Sequence, residues 1–152
     1  MDLSIPSLNH LLDIWLEEDI GRGDLTRIAL NDKVVSADWV AKQKGIFCGG
    51  SLVEKLFYKL DNSIKVDLLI KDSQTFDIGQ RLLEIKGPAC ALVAGERTAL
   101  NLTMHLSGIA TATAKLVKEL EGTRTRLTDT RKTTPGLRIL EKYAVRCGGG
   151  VN

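Results

Sequence analysis

Leu8, Leu11, Leu12, Trp15 and Leu16 fall at i, i+3, i+4, i+7 and i+8, the apolar stripe of an amphipathic helix, with Ser7 placed to cap its start and Gly21 to close it. Val35, Ala37, Trp39 and Ala41 then alternate with Ser36, Asp38, Val40 and Lys42, which is mostly the two-residue period of a half-buried strand. Glycines follow at Gly45, Gly49 and Gly50, and Ser51 with Glu54 spells an S-x-x-E capping box. A second helix carrying Leu52, Val53, Leu56, Phe57 and Leu60 is predicted from there. Ile64, Val66, Leu68 and Ile70 alternate as a further strand, and Leu83 with Ile85 marks a shorter one ending at Gly87 and Pro88.

From Ala89 to Leu120 the texture changes to Ala, Leu and Thr-rich helical sequence, which predicts two consecutive helices interrupted around Ser107 and Gly108 and ended by Gly122. A short strand through Arg124, Arg126 and Thr128, the turn DTRKTTPG, a helix from about Leu137 to Cys147 and the glycines of GGGVN complete the chain. Strand, loop, helix and the start of another strand is the opening of a βα repeat. Such a unit cannot bury its own apolar face and needs neighbours to cover the parallel sheet. The expected architecture is therefore an α+β N-terminal domain over residues 1–106, followed over residues 107–152 by the first βα unit of an incomplete α/β barrel.

Composition narrows the class. With 43% hydrophobic and 26% charged residues the chain is globular in type, and no apolar run approaches the roughly 18 residues that a membrane span requires. The opening MDLSIPSLNH has neither the basic start nor the apolar stretch of a signal peptide, so a cytoplasmic location is expected. Cys48, Cys90 and Cys147 are odd in number and too widely spaced for a disulfide framework or a CxxC knuckle, and predict buried thiols. His10 and His105 stand outside any HExxH pattern, so no metal site is expected from them.

The net charge of +2 selects no partner, but its distribution does. Residues 1–122 carry 14 basic and 17 acidic side chains, a balance of −3, whereas residues 123–152 carry seven basic and two acidic, a balance of +5. Because the basic segment is interleaved with apolar residues and glycines, it reads as folded structure facing an anion rather than as a nucleic-acid arm. Within it, Arg131 and Lys132 directly follow a predicted strand, where the loops of parallel α/β folds build their sites. A guanidinium fork beside an ammonium point charge traps anions, and Thr130, Thr133, Thr134, Pro135 and Gly136 supply hydroxyls and stiffness around the pair. Other segments say less. Arg97 next to Glu96 is most simply a surface ion pair, EDIGRGDLT at residues 18–26 lacks the spacing of a calcium loop, and GGGVN is a weak signal for phosphate.

Taken together, EDIGRGDLT, AKQKGIFCGG, GERTALNLTMHLSGIATATA and DTRKTTPGLRILEKYAVRCGGGVN, in this order and spacing, resemble quinolinate phosphoribosyltransferase, also called nicotinate-nucleotide pyrophosphorylase (carboxylating). The pyrophosphorylase-like protein associated with molybdate transport shares the architecture and is the nearest competitor, and a non-catalytic anion-binding dimerisation module is the rival class. The resemblance implies conversion of quinolinate and phosphoribosyl pyrophosphate to nicotinate mononucleotide, pyrophosphate and carbon dioxide, with Mg2+, in NAD biosynthesis. It implies quinolinate-binding roles for Arg97, Thr130, Arg131 and Lys132, with Lys132 also facing the phosphoribosyl donor as the catalytic cation. It further implies at least a homodimer in which Arg97 reaches the neighbour's pocket. Family chains are longer and continue after GGGVN with a His-Arg pair, then with the residues that hold magnesium, so the resemblance implies an N-terminal fragment incomplete for catalysis alone. Arg27 replaces a threonine usual after GDLT.

Overall fold

The computed structural model describes residues 6–21 and 33–152. EDIGRGDLT beyond Gly21, and Arg27 with it, lie outside the described residues. Helix α1 runs Pro6–Ile20 and buries Leu8, Leu12 and Leu16, as its stripe predicts, and Gly21 N donates to the Glu17 carbonyl at 2.8 Å. Ser7 lies inside the helix rather than ahead of it.

Strands β1 (Val34–Val40), β5 (Arg81–Pro88) and β3 (Lys65–Leu68) form an antiparallel sheet in the order β1-β5-β3. Ala37 and Val66 both lie opposite Ile85, on either side of β5. The strand around Leu83 and Ile85 is thus the long central one, because it is paired along both edges. β1 departs from expectation. It has no buried face: Val34, Val35 and Val40 are 66%, 39% and 40% exposed, and only Trp39 is partly covered. As an edge strand it is held through β5. A second ribbon, not foreseen, pairs β2 (Gly45–Ile46) with β4 (Thr75–Phe76).

Helix α2 spans Gly50–Leu60 and buries Leu52, Val53, Leu56 and Phe57. Its start is not the predicted capping box, because Ser51 is already helical and no side chain of the capping residue bonds back. Gly49 takes φ 113°, a left-handed conformation open to glycine, and turns its own N–H and that of Gly50 onto one oxygen of Asp72, each at 3.0 Å. A carboxylate from a distant turn thereby satisfies two backbone donors at the positive end of the helix dipole.

The predicted pair of helices is one helix, α3, running Ala89–Glu119 without a break. Ser107 does not interrupt it. Its hydroxyl accepts from Cys48 N at 3.1 Å, and one turn on, Thr111 Oγ1 accepts from Ile46 N at 2.8 Å. Gly108 meets open space, so its lack of a side chain serves no bend there. The division expected at 106/107 falls inside this helix. Gly95 is where α2 seats: a Cβ there would lie 2.6 Å from Leu60 and 2.8 Å from Phe57. Helix α4 (Arg138–Cys147) packs on the other half of α3 through Leu140 and Ala144, both buried.

The predicted strand through Arg124 and Arg126 is not formed, and a single parallel bridge joins Thr128 to Val151. With one βα unit there is one bridge partner. Asp129 N donates to Val151 O at 3.0 Å and Val151 N to Leu127 O at 2.9 Å, which preserves the parallel sense. Tyr143 of α4 donates its hydroxyl to the second oxygen of Asp72 at 2.5 Å, so one carboxylate joins α2 to α4. Burial, reinforced by that carboxylate, pushes the Tyr143 pKa up.

Replacing Asp72 with Ala leaves two helix-start amides and a half-buried phenol without their acceptor. A loss of about 2 to 4 kcal/mol is expected, against about 1 kcal/mol for Tyr143→Phe, which removes one bond and its donor together. Urea unfolding of the three proteins checks the ratio; equal losses would show that the cap contributes nothing.

Candidate functional site

The loop from Asp129 to Gly136 joins the bridge residue Thr128 to α4, and local bonds fix its shape. Thr130 Oγ1 accepts from Lys132 N at 3.2 Å, closing a short turn that holds Arg131 at its tip. Arg138 donates through Nε to Thr133 Oγ1 at 3.1 Å and through Nη2 to the Arg131 carbonyl at 3.4 Å. Thr134 N donates to Glu141 Oε2 at 3.2 Å, and Gly136 takes φ 83° at the turn into α4. These bonds use the backbone and hydroxyls of the loop. Among the described residues, the Arg131 and Lys132 side chains have no acidic partner, and both residues are exposed.

Glu141 is tied in turn to His105 of α3, whose Nε2 lies 2.9 Å from Glu141 Oε1. Burial opposes charge on Glu141, yet the hydrogen bonds from Thr134 and His105 outweigh it and lower its pKa. The long helix therefore props the loop through one carboxylate. On the other side, the Asp129 carboxylate receives Lys142 Nζ and, at 2.5 Å, Asn152 Nδ2, while Arg146 Nη1 donates to Asn152 Oδ1 at 2.5 Å. The Lys142 ammonium on Asp129 holds this carboxyl below the usual range, against the opposing effect of burial and with further help from Asn152.

Thr130, Arg131 and Lys132 are thus brought to one turn. Arg97 is not part of it: its guanidinium, 73% exposed on α3, pairs with Asp19 of α1 at 2.6 Å. The glycines of GGGVN have packing roles. A Cβ on Gly148 would lie 2.3 Å from the Ala110 carbonyl of α3, and one on Gly150 would lie 2.6 Å from Val145. Sequence reasoning missed Asp129, Glu141, Lys142, Asn152 and His105. A signal for part of this was present, since Arg138, Lys142 and Arg146 recur every four residues along one face of α4.

The arrangement is an exposed guanidinium and ammonium on a braced loop at the end of a parallel bridge, a pair of groups whose chemistry suits carboxylate or phosphate. Residues 24–107 match the family model for the quinolinate phosphoribosyl transferase N-terminal domain and residues 109–152 match that for its C-terminal domain. The chain belongs to the quinolinate phosphoribosyltransferase family.

Among relatives of this family, the probable nicotinate-nucleotide pyrophosphorylase [carboxylating] of Bacillus subtilis (strain 168) is 47% identical over 146 residues, covering 95% of this chain and 50% of that protein. The structure of the nicotinate-nucleotide pyrophosphorylase from Francisella tularensis superposes with a TM-score of 0.93 at 39% identity, over 98% of this chain and 55% of that one. NadC from Streptococcus pyogenes gives a TM-score of 0.95 at 36% identity, over 100% of this chain and 55% of that one. The chain spans about half the length of the curated relatives it matches. Among the described residues, no helix is long and apolar enough to cross a membrane.

The Asp129 to Lys142 contact carries a pH signature. Because the folded pKa of Asp129 is lowered, the stability it contributes is present above the ordinary carboxylate value near 3.9 and is lost as pH falls through the lowered folded value. Asp129→Asn is expected to lower Tm at neutral pH and to flatten its decline on the acid side. The Asp129 carboxyl carbon shift followed by NMR against pH gives the direct check, and a midpoint at or above the ordinary value would overturn the assignment.

Proposed function

We propose that this chain supplies the N-terminal part of the site of a quinolinate phosphoribosyltransferase. In this reading, nitrogen of quinolinate attacks the anomeric carbon of phosphoribosyl pyrophosphate, and pyrophosphate leaves with the bonding electrons. The 2-carboxylate then departs as carbon dioxide, its bonding pair held next to the pyridinium nitrogen until a solvent proton replaces it. The product is nicotinate mononucleotide, for NAD biosynthesis. The observation that carries the reading is the exposed Arg131 and Lys132 pair on its braced loop.

Each residue has a chemical task. Arg131 grips a carboxylate through two parallel N–H bonds, fixing the plane of the ring. Lys132 is the catalytic cation, a point charge shared between the dicarboxylate and the phosphoribosyl donor, and Thr130 orients it by holding its backbone N–H. No nucleophilic side chain is needed, since the ring nitrogen attacks directly. Arg97, exposed and projecting from α3, is proposed to complete the site of a second subunit in a homodimer or higher assembly. Magnesium, implied by the resemblance, does not fit the one group of three metal-type donors among the described residues, which contains two sulfurs. Its place is proposed in the remainder of the complete enzyme. The three cysteines, all buried and none in a disulfide, suit a reducing, cytoplasmic compartment.

The test is to fuse this chain to the remaining half of the Bacillus subtilis relative and assay nicotinate mononucleotide from quinolinate and phosphoribosyl pyrophosphate. The fusion is expected to turn over, and the 152-residue chain by itself is not. In the fusion, Arg131→Lys keeps the charge and loses the fork, costing on the order of 2 to 3 kcal/mol, or roughly thirtyfold to hundredfold in quinolinate kcat/KM, with little change for the donor. Quinolinate kinetics within about threefold of the parent, with Lys132→Ala inactive, would return Arg131 to a structural role.

Subunit exchange tests Arg97. Mixing an Arg97→Ala fusion with an Arg131→Ala fusion generates, at random pairing in a dimer, intact sites worth about a quarter of parental activity if Arg97 acts across the interface. A mixture no more active than either component, once exchange is verified by mass spectrometry, would remove Arg97 from that role.

A further inference from the structure

Cys48 lies just ahead of α2, Asp72 in the turn between β3 and β4, and Cys147 at the last position of α4. Three separate segments deliver two thiols and a carboxylate whose donor atoms all lie within 4.8 Å of one another. Cys48 is 0% and Cys147 7% exposed, and the Tyr143 hydroxyl already rests on Asp72. Neither thiol belongs to the loop that faces solvent at Arg131, so the proposed reaction makes no use of them.

We infer that Cys48, Asp72 and Cys147 form a zinc(II) site that staples the approach to α2 and the β3 to β4 turn onto the end of α4. Zinc holds sulfur at roughly 2.3 Å and carboxylate oxygen at roughly 2.0 to 2.2 Å, so tetrahedral donors stand about 3.5 to 3.8 Å apart, a spacing these side chains reach by small torsional changes. Charge favours the ion. Two thiolates beside a carboxylate repel one another in a buried space, and a dication converts that repulsion into attraction. Soft sulfur selects zinc over magnesium or calcium. On binding, each thiol gives its proton to solvent and coordinates as thiolate, with no change of oxidation state. The fourth corner is left to water or to the Tyr143 oxygen.

The experiment uses the 152-residue chain, reduced and freed of metal with a chelator, titrated with cobalt(II) as a spectroscopic stand-in and then with zinc. One equivalent of cobalt is expected to give sulfur-to-metal charge-transfer absorption and the visible bands of a tetrahedral ion, both abolished by zinc. Zinc is also expected to raise Tm. Cys48→Ser and Cys147→Ser should each weaken binding on the order of a hundredfold, while Cys90→Ser, outside the cluster, leaves it unchanged. The spectrum of the parent chain needs no variant to fold. Absence of the charge-transfer band from the reduced parent overturns the inference. So does a band that survives Cys48→Ser, or a chain that takes up no cobalt and only forms a Cys48 to Cys147 disulfide under oxidants.

Discussion

Besides the buried Leu92, Leu102 and Leu106, α3 presents small residues at its closest contacts: Gly95 beneath Leu56, Phe57 and Leu60, Ala99 in the buried core, and Ala110 with Thr113 against Gly148. Close backbone approach on a single continuous helix is the constraint from which the arrangement of the remaining elements follows. The first half of α3 receives α2 and, through it, the three-stranded sheet, and the second half receives α4 and the turn that closes the parallel bridge. Where small residues do not suffice, hydroxyls do. Ser107 and Thr111, one turn apart, accept the backbone N–H groups of Cys48 and Ile46, donors that the two-residue ribbon leaves without a partner.

The same helix reaches the loop of the candidate site by an electrostatic route. His105 holds Glu141, Glu141 accepts the Thr134 amide, and the loop therefore inherits its position from α3 rather than from contacts of Arg131 or Lys132. The two cations are left exposed because the loop spends its hydroxyls and carbonyls on itself. Among the described residues no carboxylate neutralises either side chain, so their charge stays available at the surface.

The sequence showed those parts of the molecule that depend on local periodicity. The stripe Leu8, Leu12 and Leu16, the alternation of Val66 and Leu68, and the adjacency of Arg131 and Lys132 were all visible. It misled where a local motif competes with a distant partner. Ser51 and Glu54 spell a capping box, but Asp72 captures the amides first, and Gly49 can take the conformation that lets it. Ser107 and Gly108 look like a break until the segment between β2 and α2, whose Cys48 amide needs the serine hydroxyl, is in place. The alternation of β1 is real, yet edge position withholds the burial that alternation predicts. Cys48 and Cys147 illustrate the general limit: spacing tests detect donors that are near in the chain, and these meet only through the packing of three segments.

The continuity of α3 has a consequence for how this family can change. The two family models meet between residues 107 and 109, in mid-helix, where an alignment places a seam and the backbone has none. An insertion or deletion of one residue near Gly108 would rotate everything after it by about 100° about the helix axis and shift it by about 1.5 Å. His105 would no longer face Glu141, and Ala110 would turn away from Gly148. In this chain a single-residue change in that stretch is therefore disruptive, whereas residues 121–126, which carry no helix or strand, lie where such a change leaves the helix register intact.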